Sequence, residues 1–124
     1  MKINRRNYDA LGESLGPYSQ AVVHNDIIYT SGLTAYGSQA QGKRIDLQAD
    51  QIFSNLQSIC LAHNTSLKKI IKVTLFVSDL TDIELLRGAL FKVYGKDLPA
   101  SSLIKVDALF STDLNIEIEA MIAV

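Results

Sequence analysis

Ile70-Ile71-Lys72-Val73-Thr74-Leu75-Phe76-Val77 is the stretch on which the fold turns. It is too β-branched and too continuously apolar for a surface helix, and it predicts a central strand. The pattern changes period on both sides of it. Upstream, Ile52, Leu56, Ile59 and His63 recur at helical spacing, with Asp46 available as an N-cap and Asn64 as a stop signal. Downstream, Asp79 or Thr81 can cap a second helix, in which Ile83, Leu86, Leu90 and Tyr94 share one face and Gly95 fits the C-terminal end.

The flanking thirds read as strands. Ala21-Val22-Val23 and Ile27-Ile28-Tyr29-Thr30 surround His24-Asn25-Asp26, whose Asn and Asp tolerate the positive φ of a tight turn, so a β-hairpin is expected. Gly37 to Gly42 is polar and glycine-flanked and reads as an exposed loop. Leu103 to Leu109 alternates loosely. The final strand alternates more cleanly, with Ile116, Ile118, Ala120, Ile122 and Val124 on one side and Glu117, Glu119 and Met121 on the other. The order predicts one α+β domain over residues 1–124, a sheet with two helices on one face. Thr74 and Phe76 then share the other face with Lys72 and Ser78. A face that apolar commonly hides by oligomerising.

Composition narrows the function. At 124 residues there is room for one sheet and a pair of helices. A formal charge of −1 provides no field to attract nucleic acid or an anionic membrane. Lys68, Lys69 and Lys72 cluster at a helix-to-strand junction and read as a solvated face. No apolar run reaches bilayer length and the first residues carry no signal-type apolar segment, so a cytoplasmic location without a membrane partner is expected. The one cysteine, Cys60, excludes an internal disulfide and reads as a small buried hydrophobe on the first helix.

Several residues could carry chemistry. Pro17 fixes its own φ and biases Gly16 toward an extended backbone, so Gly16-Pro17-Tyr18 bends the chain and leaves Tyr18 on the rim of the core. Ser31 would need a neighbouring base to act as a nucleophile. His24 in a turn and His63 at a helix end form no recognisable hydrolase motif with it, so backbone satisfaction of its hydroxyl is the simpler reading. Glu117 points away from its neighbours Ile116 and Ile118. Such a carboxylate is either paired with a cation or close to a wet cleft, since burying an unpaired charge is costly.

Taken together, Gly16-Pro17-Tyr18-Ser19-Gln20-Ala21, Tyr29-Thr30-Ser31-Gly32 and Asn115-Ile116-Glu117-Ile118-Glu119-Ala120 resemble the Rid family, the reactive intermediate (imine) deaminases also called YjgF-type or endoribonuclease L-PSP-like proteins. The resemblance runs from about Gly16 to Ala123. It implies a chorismate-mutase-like α+β fold, a homotrimer whose sheets pack around a three-fold axis, and small-molecule clefts between subunits. The implied reaction is hydrolysis of a 2-imino acid or its enamine tautomer to a 2-keto acid and ammonia, with no metal or organic cofactor.

By the same resemblance, Glu117 matches the glutamate that positions the attacking water, Tyr18 forms a wall of the cleft, and Ser31 hydrogen-bonds the ligand. The chain departs from the family at Ser101, where active members carry an arginine that grips the substrate carboxylate. Arginine's planar fork donates two charge-assisted bonds and a serine only one neutral bond, a difference of about 2–4 kcal/mol. Leu103 replaces a residue that is often cysteine, and Arg87 replaces an asparagine that lines the cleft. Arg87 either reaches the anion pocket from the other wall or pairs with Glu84 on its own helix. Three functions follow: an imine deaminase with a rearranged anion site, a non-catalytic metabolite- or partner-binding relative, or a hydrolase of an imine-like substrate without the carboxylate.

Overall fold

The hairpin forms where Asn and Asp allow it. In the computed structural model, which describes residues 2–124, Asn25 and Asp26 have φ of 50° and 62°. This is the left-handed pair of a two-residue turn whose twist matches its strands. It joins β2 (Ala21–His24) to β3 (Ile27–Thr30). A short strand not anticipated from the sequence, β1 (Asn4–Arg6), pairs antiparallel with β2.

Helix α1 spans Ile45–Ala62 and buries Ile52, Phe53, Leu56, Ile59 and Cys60 along one face. Its N-cap is Arg44, not Asp46, which lies inside the first turn and accepts from the Arg44 guanidinium at 2.6 and 2.9 Å. An acidic residue in that position still complements the N-terminal dipole. Asn64 ends the helix with φ 56°. Its N–H reaches the Leu61 carbonyl at 3.4 Å, and the Thr65 N–H reaches that of Cys60 at 3.0 Å, a Schellman closure.

The central strand β4 covers Ile70–Val77, as its composition requires. A bulge at Ile71 separates the pairs Ile70↔Ile122 and Lys72↔Met121 and turns Ile71 outward. Helix α2 (Ile83–Tyr94) follows. Its N-cap is Asp82. Asp79 instead accepts from the backbone and hydroxyl of Thr81 one turn earlier, so neither expected cap reaches the helix. Leu86 is the fully buried residue of α2, while Ile83, Leu90 and Tyr94 pack partly buried around it.

After α2 the chain returns as β5, Ala100–Lys105, parallel to β4. This replaces the strand expected over Leu103–Leu109: pairing begins three residues earlier and ends at Lys105. The cause is its place at the sheet edge, where all six residues are exposed and no burial pattern marks the limits. Strand β6 (Ile116–Ala123) lies between β3 and β4 and buries Ile116, Ile118, Ala120 and Ile122. Val124 does not join that row; it lies beyond the strand, 48% exposed. The mixed sheet runs β1-β2-β3-β6-β4-β5. Its inner residues and the two helices form one apolar cluster.

Candidate functional site

The site is built where the segment before β2 is tied to the end of β3. Gln20 is buried and holds that segment by both ends of its amide: Oε1 accepts from the Tyr8 N–H at 2.8 Å, and Nε2 donates to the Gly12 carbonyl at 2.8 Å. Its own N–H donates to Asn7 Oδ1 at 2.9 Å. Ser31 closes the junction, with its N–H on the Gln20 carbonyl at 3.0 Å and its hydroxyl donating to the Ser19 carbonyl at 2.6 Å. The Ser31 proton is therefore engaged, and its oxygen lone pairs are what a ligand can use.

Beyond Tyr29↔Met121 the β3–β6 ladder becomes irregular. The next pair is Leu33↔Ile118, four residues on from Tyr29 (33 − 29) but only three back from Met121 (121 − 118). The Ala120 N–H accordingly finds the Thr30 hydroxyl at 2.9 Å. Such irregularities re-aim side chains near sites. Here Leu33 and Ile118 exchange backbone bonds of 2.8 and 3.0 Å, which lays Gly32 against Glu117.

Glu117, Ser31 and Tyr18 line one cavity of about 430 Å³. Glu13, Tyr36 and Phe110, which no sequence motif singles out, are also among its lining residues. Tyr36 and Phe110 pack as a tilted pair, ring centroids 5.2 Å apart and planes at 58°. Glu117 alternates with buried Ile116 and Ile118 and so faces away from the helices, as its position in the strand dictates. Burial, and then the nearby charge of Glu119, push its carboxyl above the ordinary glutamate value. Among the described residues no hydrogen bond or cation reaches it. A half-buried carboxylate with free lone pairs beside a cavity can accept a proton from a water held there and return it.

Arg87, Ser101 and Leu103 gather elsewhere. They line a second cavity of about 340 Å³ between α2 and β5, with Leu75, Phe91 and Tyr94. The Tyr94 hydroxyl is buried there without a partner, and burial pushes it up to about 12. Arg87 pairs with Glu84, one turn back on its own helix. Ser101 and Leu103 stand opposite Val73 and Leu75, which point into the core, whereas Glu117 stands opposite Phe76 and Phe76 opposite Ile104. Within the chain the two groups of site residues therefore occupy opposite faces of the sheet.

The histidines lie outside both cavities. His63 meets the Tyr8 hydroxyl through Nε2 at 2.7 Å, and His24 contacts the Lys2 carbonyl at 3.3 Å. Ser31 thus has no imidazole base. Cys60 is buried on α1, and burial raises its thiol to about 11. Among the described residues no cluster of His, Cys, Asp or Glu is arranged to hold a metal ion. Among the described residues no helix is long and apolar enough to cross a membrane.

This fold and this cavity define a Rid/YjgF-type domain. The family model described as Endoribonuclease L-PSP matches residues 9–124, and the chain belongs to that family. It is 34% identical over 119 residues to the RutC family protein y4sK of Sinorhizobium fredii, covering 93% of this chain and 92% of that protein. To Reactive Intermediate Deaminase A, chloroplastic, of Arabidopsis thaliana it is 29% identical over 111 residues. That match covers 87% of this chain and 59% of the longer plant protein. The crystal structure of RidA from the Antarctic bacterium Psychrobacter sp. PAMC 21119 superposes with a TM-score of 0.86 at 28% identity, covering 98% of this chain and 99% of that one.

Proposed function

We propose that this protein hydrolyses the C=N bond of a small imine or its enamine tautomer, with Glu117 as the group that activates water. The observation that carries the reading is the Glu117 carboxylate: half-buried, without a hydrogen-bond or cation partner among the described residues, beside a cavity walled by Tyr18 and Ser31. The deaminase name borne by the Arabidopsis relative supports the same chemistry.

The working unit is a homotrimer. Tyr29 and Met121 leave apolar surface exposed on the sheet face away from the helices, where the half-buried Phe76 also lies, and a second subunit would cover it. Packing subunits face to edge brings Arg87, Ser101 and Leu103 of one against Tyr18, Ser31 and Glu117 of the next, which their placement on opposite faces forbids within one chain. Water held by Glu117 then adds to the imine carbon, Glu117 takes its proton, and the same group returns a proton to nitrogen as ammonia leaves. Positioning supplies most of the acceleration, since imines already react with water.

The test generates an imine in place with an oxidase and follows the fraction that semicarbazide traps. The protein is expected to lower that fraction and to release ammonia faster, and Glu117→Gln to abolish both effects. If the wild type has no effect on any imine while sedimenting as an assembled oligomer, the catalytic reading is overturned and the cavity is a binding site.

A further inference from the structure

We infer that the substrate is a carboxylate-free imine carrying an aromatic or other flat apolar substituent, bound as its iminium cation; this rests on the C=N hydrolysis proposed above. Of the groups lining the 430 Å³ cavity, the charged ones are Glu13 and Glu117, both carboxylates, with no lysine, arginine or histidine beside them. Two negative charges on one open cleft, the half-buried Glu117 and the exposed Glu13, disfavour a substrate carboxylate and favour a cation. Ser31 adds an acceptor, because its proton is held by the Ser19 carbonyl. An iminium N–H₂ is a double donor with a positive charge and matches these acceptors.

The other wall holds its cation outside in solvent. The Arg87 guanidinium meets Glu84 through one nitrogen in an exposed pair, and Ser101 donates at most one neutral bond. Around them the second cavity is largely apolar, with Leu75, Phe91 and Leu103. The substituent has its own seat: the rings of Tyr18, Tyr36 and Phe110 all line the cavity, the last two tilted at 58° to each other, and aromatic rings suit a flat apolar group and also attract a cation.

The reaction balances without a co-reactant. Water oxygen forms a bond to the imine carbon of R₂C=NH₂⁺, the π pair moves to nitrogen, and the lost proton goes to Glu117, giving the neutral carbinolamine. Glu117 then protonates that nitrogen. The C–N bond breaks with its pair on nitrogen, and the hydroxyl oxygen forms the carbonyl π bond and releases its proton to ammonia, leaving R₂C=O and NH₄⁺. The reaction class that supplies such a substrate is oxidation of a primary amine.

A matched pair of imines tests the inference. 2-Phenylethylamine with a flavin amine oxidase yields 2-phenylethanimine, and phenylalanine with an amino-acid oxidase yields the same skeleton bearing a carboxylate. The wild-type protein is expected to hydrolyse the first with kcat/KM on the order of tenfold or more above the second. Glu13→Gln is expected to narrow that ratio by improving the 2-imino acid. A preference for the 2-imino acid overturns the substrate class and leaves C=N hydrolysis standing. Activity on neither imine overturns both.

Discussion

A Cβ at position 32 would collide with Glu117 Oε2 and lie 2.9 Å from its Cγ. The two residues are fitted to each other: the carboxylate occupies the space that any side chain at position 32 would need. Gly32→Ala is therefore expected to push Glu117 out of place with little effect on the core. Imine hydrolysis should fall by on the order of tenfold to a hundredfold, since displacement of about 1 Å is that costly to a positioned group. The midpoint of thermal unfolding should shift by only a few degrees, about 1 kcal/mol. A variant with wild-type kcat/KM would show that Glu117 need not sit where it does.

Acidity provides an independent handle on the same carboxylate. Burial and Glu119 raise the Glu117 carboxyl above 4.5 in the folded protein. The folded state thus holds its proton to higher pH than the unfolded chain, and stability is lost as pH rises from the unfolded value through the raised folded one. Glu117→Gln removes that loss. The difference in unfolding midpoint between the variant and the wild type should move in the variant's favour between pH 4 and pH 7, as read by thermal melts. Activity needs the ionised form, so its acid limb should rise at a pH above the ordinary glutamate value. An acid limb at or below 4.5 would exclude Glu117 as the base.

Much of this arrangement is visible in the sequence because it follows strict period. The alternation of Ile116, Ile118, Ala120 and Ile122 requires Glu117 to face away from the helices, and the run Ile70–Val77 requires an interior strand. Where burial does not alternate, the pattern is silent. Strand β5 is exposed along its whole length, so its limits follow from hydrogen bonding to β4 rather than from hydropathy. Tyr36 and Phe110 come from loops far apart in the chain and meet only because the fold brings those loops together. The Arg44 N-cap uses no side-chain bond and left no mark to read.

Gln48 is the polar residue on which the core side of α1 depends. It is fully buried. Its amide donates to the carbonyls of Lys43 and Asp113 at 2.9 and 3.0 Å and accepts from the Asn115 N–H at 2.8 Å, fixing the entry to β6. Gln48→Leu keeps the volume and leaves the Asn115 N–H without a partner, while the Asp113 carbonyl keeps the Gly42 N–H at 3.1 Å and the Lys43 carbonyl only a long bond of 3.4 Å from Asn115 Nδ2. A loss of about 3 kcal/mol in unfolding free energy is expected, measured by urea denaturation. A loss under about 1 kcal/mol would mean that water replaces the amide.

Mixing two inactive variants would reveal whether the site is shared between subunits. Glu117→Ala removes the base from one face of the sheet, and Ser101→Trp obstructs the cavity against α2 on the other. Each variant alone should be inactive in the imine assay. When the two are unfolded together and refolded as mixed copies of the proposed trimer, about one cleft in four receives an intact face from each neighbour, and activity should return to about a quarter of the wild-type level. If both residues served the same cleft from one chain, every subunit would remain defective and no activity would return. The opposite facing of Glu117 and Ser101 across one sheet predicts the first outcome.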